Sequence, residues 1–293
     1  MCDTPIRVVP LGDRVPTLRR WALGLRWPLL TASDVADLLT DDWLGAGPVQ
    51  LNESLPHAAV SGTRMLANAQ AVLAAAEAGR GLILTPRAPL GQPATVPRFT
   101  RGVRTGFRAL SELPLVEPLA WTEGLLQAAG LLVLESGLLV ATPEASVLVA
   151  PEAAPRLFAR LFRAFFRVFN LAYLDPFPAV AAIQDLVPYW LWVLGHPPHA
   201  GAPHCADTLV WVFTPDPVQL DAAAAPARLR ALIQKRVFDP LADFGLVEFR
   251  SYADSELPPE LGDERFGLTP LWGQFVRFAP SFPVPKPLLQ LVR

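Results

Sequence analysis

The chain has little cysteine, little lysine and little charge of either sign. Its 293 residues include two cysteines, Cys2 and Cys205, which are too few for a disulfide framework. The two lysines, Lys235 and Lys286, do not follow a glycine, so the Gly-Lys pair of a phosphate-binding P-loop is missing. Charged residues make up 18%, below the usual share of about 25%, and hydrophobic residues make up 52%. This composition excludes a disordered chain, a coiled coil and a highly charged protein that coats nucleic acid.

Long apolar runs and catalytic signatures are missing as well. The longest apolar stretches, Leu131–Ala141 and Leu186–Leu194, are interrupted by Glu135 and Pro188, and both are shorter than the roughly 20 residues of a spanning helix. The first residues lack the basic start and apolar core of a signal peptide. No G-x-S-x-G, H-E-x-x-H or C-x-x-C motif occurs, and the glycines at 45 and 47 lack the third glycine of a dinucleotide fingerprint. We therefore expect a cytoplasmic protein with no membrane partner and no cofactor.

Proline is abundant, with 32 residues, and it takes part in a pattern that occurs three times. In each copy a helix rich in alanine or leucine ends at a glycine, an apolar strand follows, and a Thr-Pro pair begins the next element. The pairs are Thr85-Pro86, Thr142-Pro143 and Thr269-Pro270. Glycine accepts the left-handed conformation after a helix, threonine caps the next helix, and proline fits its first position. Helix, strand, turn, strand and helix outline a winged-helix unit, whereas three unrelated connections with ordinary caps are the alternative.

Two central segments predict buried helices. Arg156–Asn170 has its aromatic residues on one half and a stripe of arginines about 60° wide on the other. The stripe contains Arg156, Arg160, Arg163 and Arg167. Ile183–Leu194 predicts a second buried helix, kinked at Pro188. The expected fold is mainly α with small β-hairpins, in which tandem winged-helix-like units pack on this central helical pair.

The pattern divides the chain into five parts. Residues 1–60 are predicted to be an irregular N-terminal segment with one helix, capped at Thr31–Asp34. Residues 61–150 contain winged-helix-like units one, which is degenerate, and two. Residues 151–205 contain the central helical pair and a loop, and residues 206–278 contain unit three. Residues 279–293 form a proline-rich C-terminal tail.

The central segment also resembles a known family. The run Leu161–Asn170, followed by Tyr173-Leu174-Asp175, is distinctive, and Ala129–Leu132, Asp239–Leu246 and Leu268–Pro270 accompany it. Together these residues are similar to the helical region of the bacterial plasmid open-reading-frame-three-like family. The resemblance covers roughly residues 60–275, implies a shared winged-helix-like fold and assigns no functional residues. The first copy departs from the family pattern at Ala88-Pro89, so its wing is expected to be degenerate.

A basic segment is the main candidate for a binding surface. Residues 78–111 contain six arginines and no acidic residue, although the whole chain has a net charge of −2. On a helix that starts near Pro97, four of the arginines share one side. They are Arg98, Arg101, Arg104 and Arg108. Such a face is suited to nucleic-acid phosphates, and the alternative is a solvated face on an arginine-rich protein.

Two further groups of residues have side chains that could form a chemical site. Residues 196–205 contain His196, His199, His204 and Cys205, whose side chains are of the kind that bind zinc. Their spacing matches no zinc motif, and we interpret the segment as a plain loop without metal. The pairs Asp41-Asp42 and Asp263-Glu264 are interpreted as solvated turn residues rather than as an acid and a base.

These features favour a non-enzymatic regulatory or scaffold protein that binds nucleic acid or protein through winged-helix-like units. Two other classes are carried as alternatives. One is a protein–protein adaptor without nucleic-acid contact, and the other is an enzyme whose site no motif marks. No catalytic or cofactor-binding residue is assigned.

If the arginine face binds nucleic acid, changing Arg98, Arg101, Arg104 and Arg108 together to alanine will weaken binding to duplex DNA. Each phosphate contact contributes about 0.9 to the slope of log affinity against log salt, so four lost contacts lower the slope by up to about 4. Fluorescence anisotropy of a labelled duplex over a salt series measures this slope. Unchanged affinity in the fourfold variant would contradict the hypothesis.

Overall fold

The computed structural model describes residues 30–45, 47–78, 81–83, 122–174, 182–195, 231–250 and 265–282. This part of the chain is mainly helical, with a few small antiparallel strand pairs. The helices are α1 (Ala32–Thr40), α2 (His57–Val60), α3 (Arg64–Ala78), α4 (Thr122–Ala128), α5 (Pro143–Leu148), α6 (Ala154–Arg163), α7 (Ala182–Leu194), α8 (Asp239–Asp243) and α9 (Pro270–Phe275). The strands are β1 (Val49–Leu51), β2 (Leu82–Ile83), β3 (Leu132–Glu135), β4 (Leu138–Ala141), β5 (Val247–Arg250), β6 (Arg265–Leu268) and β7 (Val276–Phe278). Short 3₁₀ helices span Pro151–Ala153 and Leu171–Leu174, and π-helical turns span Ala164–Val168 and Gln234–Phe238.

Helix α1 begins where the sequence predicts a capped helix. The backbone N–H of Asp34 donates to Oγ1 of Thr31 at 3.2 Å, and the backbone N–H of Thr31 donates to Oδ2 of Asp34 at 2.7 Å. This reciprocal pair is a capping box, which satisfies backbone donors that a helix start otherwise leaves unpaired. The buried face of α1, formed by Val35, Leu38 and Leu39, packs against α7.

Helix α6 supplies the aromatic core that the sequence predicts. Phe158 and Phe162 are fully buried, and both rings pack edge-to-face on Phe244 and Phe275 at centroid distances between 4.7 and 5.4 Å. Aromatic pairs in this geometry contribute about 0.5–1.5 kcal/mol beyond the burial of their area. The burial of a wide aromatic face is therefore confirmed.

The arginine stripe opposite this face does not extend to its last predicted member. Arg156 is exposed, and Arg160 and Arg163 are partly exposed, whereas Arg167 is only 5% exposed. After Arg163 the chain forms a π-helical turn, which contains more residues than an α-helical turn, so each residue advances by a smaller angle. Arg167 is thereby turned inward. Its Nη2 donates to the carbonyl of Leu39 at 2.9 Å, and its guanidinium lies 5.5 Å from the centre of the Trp43 ring.

Helix α7 is the second central helix that the sequence predicts, and Pro188 lies inside it. Near its start, Nε2 of Gln184 donates to the carbonyls of Phe169 at 2.7 Å and Phe166 at 3.2 Å. The backbone N–H of Leu171 donates to Oε1 of the same side chain at 3.3 Å. The buried amide therefore satisfies backbone groups where the π-helical turn ends.

Copies two and three of the repeat share one set of hydrogen bonds. Gly130 and Gly245 follow helices α4 and α8 with φ angles of +71° and +67°, a left-handed conformation that favours glycine. The hydroxyl of Thr142 donates to the carbonyl of Gly130 at 3.1 Å, and the hydroxyl of Thr269 donates to that of Gly245 at 2.7 Å. The backbone N–H of each threonine donates to the residue after the glycine, at 3.0 Å in both copies. The threonine thus joins the two ends of each hairpin.

The first copy contributes its strand to the sheet of the second. Strand β2 pairs with β4, Leu82 opposite Leu139, so the sheet has the order β2-β4-β3. The first and second copies of the repeat therefore share a sheet in the part of the chain that is described. Strand β1, from the segment predicted to be irregular, pairs with β7 and places Val49 opposite Phe278.

Asp243 joins helix α8 to the start of α3. Its carboxylate accepts a hydrogen bond from Nη1 of Arg64 at 2.8 Å, and its side chain is largely buried. Burial raises the pKa of Asp243 to about 6, against the opposing effect of the Arg64 charge. Asp239 raises the pKa further and Lys235 lowers it. The ionised carboxylate is therefore disfavoured in the folded chain.

We predict that Asp243 makes the protein less stable as pH rises from about 4 to about 7. The pKa of this carboxyl is raised from 3.8 to about 6, so the folded chain binds more protons than the unfolded chain over this interval. The free energy of unfolding should fall by about 3 kcal/mol relative to Asp243→Asn, which has no carboxyl to titrate here. Urea unfolding at a series of pH values measures the difference, and Glu77→Gln controls for removing an exposed carboxylate. A difference that does not vary with pH would refute the prediction.

Candidate interaction surface

The site residues predicted from sequence lie outside the described part of the chain. This holds for the arginine face and for the histidine- and cysteine-containing loop, which comprise Arg98, Arg101, Arg104, Arg108, His196, His199, His204 and Cys205. Their roles stay predictions. Among the residues that the structure describes, no three or more His, Cys, Asp or Glu side chains are grouped so that they could hold a metal ion. None of the helices described is long and apolar enough to cross a membrane.

The described part of the chain is acidic. It contains 10 basic residues (Arg and Lys) and 14 acidic residues (Asp and Glu), a net charge of −4. A surface that binds nucleic-acid phosphates is rich in arginine and lysine. All six arginines of the basic segment at residues 78–111 lie outside the described part of the chain.

The β3–β4 hairpin is the most distinctive surface feature among the described residues. Its two strands pair from Leu132 opposite Ala141 to Glu135 opposite Leu138. Ser136 and Gly137 connect them with φ angles of +50° and +78°, and two positive φ angles are typical of the tight type I′ hairpin turn.

Apolar side chains of this hairpin are exposed beyond its base. Leu132 and Leu139 are buried, whereas Val133 is 37% exposed and Leu134 is 55% exposed. Strand β3 pairs only with β4 in the described sheet, and an apolar strand at a sheet edge is a site where another chain can add. The sequence located this hairpin but missed the exposure, because an apolar strand is ordinarily expected to be buried.

Arg160 of helix α6 makes hydrogen bonds at both ends of the hairpin. Nε of Arg160 donates to the carbonyl of Ala129 at 2.9 Å. Its two terminal nitrogens donate to the two carboxylate oxygens of Glu144 at 3.2 and 3.3 Å. These bonds join α6 to the residues just before β3 and just after β4. Arg160 therefore links both ends of the hairpin to α6.

A second feature is an open cleft of about 490 Å³ at the end of α1. Its lining is acidic on one side and contains an aromatic ring on the other. The lining residues are Asp37, Thr40, Asp41, Asp42, Gly47, Pro48, Ala279, Ser281 and Phe282. Residues from α1 and from the segment after β7 meet here, because β1 and β7 are paired next to it.

The prediction that the acids at 41 and 42 are solvated is wrong for Asp41. Asp42 is exposed, but Asp41 is only 5% exposed. Its two carboxylate oxygens accept hydrogen bonds from the backbone N–H groups of Trp43 at 2.8 Å and Val49 at 2.6 Å. Burial raises the pKa of Asp41, while these bonds and the charge of Arg167 act in the opposite direction. Asp41 therefore connects the end of α1 to β1 and is a structural residue.

Gly47 allows this connection to form. A Cβ atom added at Gly47 would overlap the carboxylate of Asp41. Any side chain at this position would therefore displace the carboxylate from its backbone donors. From sequence, the glycines at 45 and 47 are interpreted only as an incomplete dinucleotide fingerprint. That interpretation misses the other use of glycine, which is to let another group, here the Asp41 carboxylate, approach the backbone closely.

Comparisons of the chain with models of known protein families, with curated proteins and with solved structures found no match.

We predict that Gly47→Ala lowers the free energy of unfolding by at least about 2 kcal/mol. The added methyl group overlaps the buried Asp41 carboxylate, and hydrogen bonds to a charged group contribute about 1.5–3 kcal/mol each. Gly62→Ala is the control, because a Cβ added at Gly62 meets no atom within 4 Å. Urea denaturation of both variants measures the two changes, and equal stability of the two would refute the role of Gly47.

Proposed function

We propose that the chain is a non-enzymatic scaffold or regulatory protein that binds a protein partner through the β3–β4 hairpin of a winged-helix-like unit. The observation that carries the proposal is the exposure of Val133 and Leu134 on an edge strand of the described sheet. Exposed apolar groups on such an edge favour pairing with another polypeptide. This combines the leading function expected from sequence with the protein-adaptor alternative.

The order of elements supports a winged-helix-like unit over residues 64–148. Helix α3 precedes β2, helix α4 precedes the β3–β4 hairpin, and β2 joins the sheet on the far side of β4. The hairpin then corresponds to the wing. A second unit of this kind, α8–β5–β6–α9, is supported by the hydrogen bonds that Thr269 shares with Thr142. Both units fit the fold implied by the resemblance to the plasmid open-reading-frame-three-like family.

The charge of the β3–β4 hairpin and of α4 favours a protein partner over a nucleic acid at this hairpin. Glu135 is the charged residue of the hairpin, and Glu123 is the charged residue of α4. Helix α4 also has Leu125 and Leu126 buried in the core. A helix or wing that docks on DNA needs basic side chains for the phosphates, which this pair of elements lacks. Nucleic-acid binding by the arginines at 98–108 is a separate prediction.

We predict that a photo-crosslinking residue at Leu134 captures a protein when the full chain is present in its native cell extract. The same group at Glu77, an exposed position on α3, is the control and should not capture that product. The product should resist nuclease and be lost on protease treatment, and its mass and peptides identify the partner. A product that forms equally at both positions, or none at Leu134, would overturn the proposed function.

A further inference from the structure

We draw no further inference here: the strongest candidate, the open cleft between the end of α1 and the segment after β7, rests on a cluster of acidic side chains with no second observation among the described residues that points to a ligand, and the buried member of that cluster, Asp41, already accepts hydrogen bonds from the backbone of Trp43 and Val49.

Discussion

The packing around Phe162 is the interaction on which the rest of the described structure depends. Its ring lies 5.5 Å from Trp43, 5.1 Å from Phe244 and 5.2 Å from Phe275, measured between ring centres. These partners come from the segment after α1, from the end of α8 and from the end of α9. One side chain of the central helix therefore contacts three segments that are distant in sequence. Because the paired rings are buried, the contacts combine the hydrophobic effect with the preferred geometry of aromatic pairs.

The buried charge of Arg167 follows from the same packing. Phe165, Phe166 and Arg167 are consecutive and all buried, although three successive residues of an α-helix span about 200° of its circumference. In the π-helical turn each residue advances by a smaller angle, so the three residues span less of the circumference. The guanidinium of Arg167 donates to the Leu39 carbonyl and lies over the Trp43 ring. The second π-helical turn, Gln234–Phe238, also contains a buried arginine, Arg236, which is followed by valine and phenylalanine as Arg167 is.

The predictable features of the fold are those that neighbouring residues determine. Thr31 and Asp34 identify the start of α1, and Thr142 identifies the start of α5, because a cap joins residues three apart. The prediction that Thr269 caps the next helix is wrong, because its side chain makes no cap hydrogen bond to α9 and donates to the carbonyl of Gly245 instead. The β1–β7 pair could not be predicted, since three-residue strands carry no usable alternation and their partner is distant in sequence. The burial of Asp41 could not be predicted either. This burial depends on the hydrogen bond from the backbone N–H of Val49, which lies eight residues away in strand β1.

The hairpin shows why its location was predictable and its surface was not. An apolar strand normally indicates burial, and Leu132 follows that rule at the base of the hairpin. Beyond it the strands leave the core while the tight turn at Ser136 and Gly137 keeps them paired, so Val133 and Leu134 stay 37% and 55% exposed. Arg160 bonds to Ala129 before β3 and to Glu144 after β4, so both ends of the hairpin are linked to α6. Apolar residues that stay exposed on an edge strand of the described sheet are the physical basis of the proposal that this hairpin recognises another polypeptide.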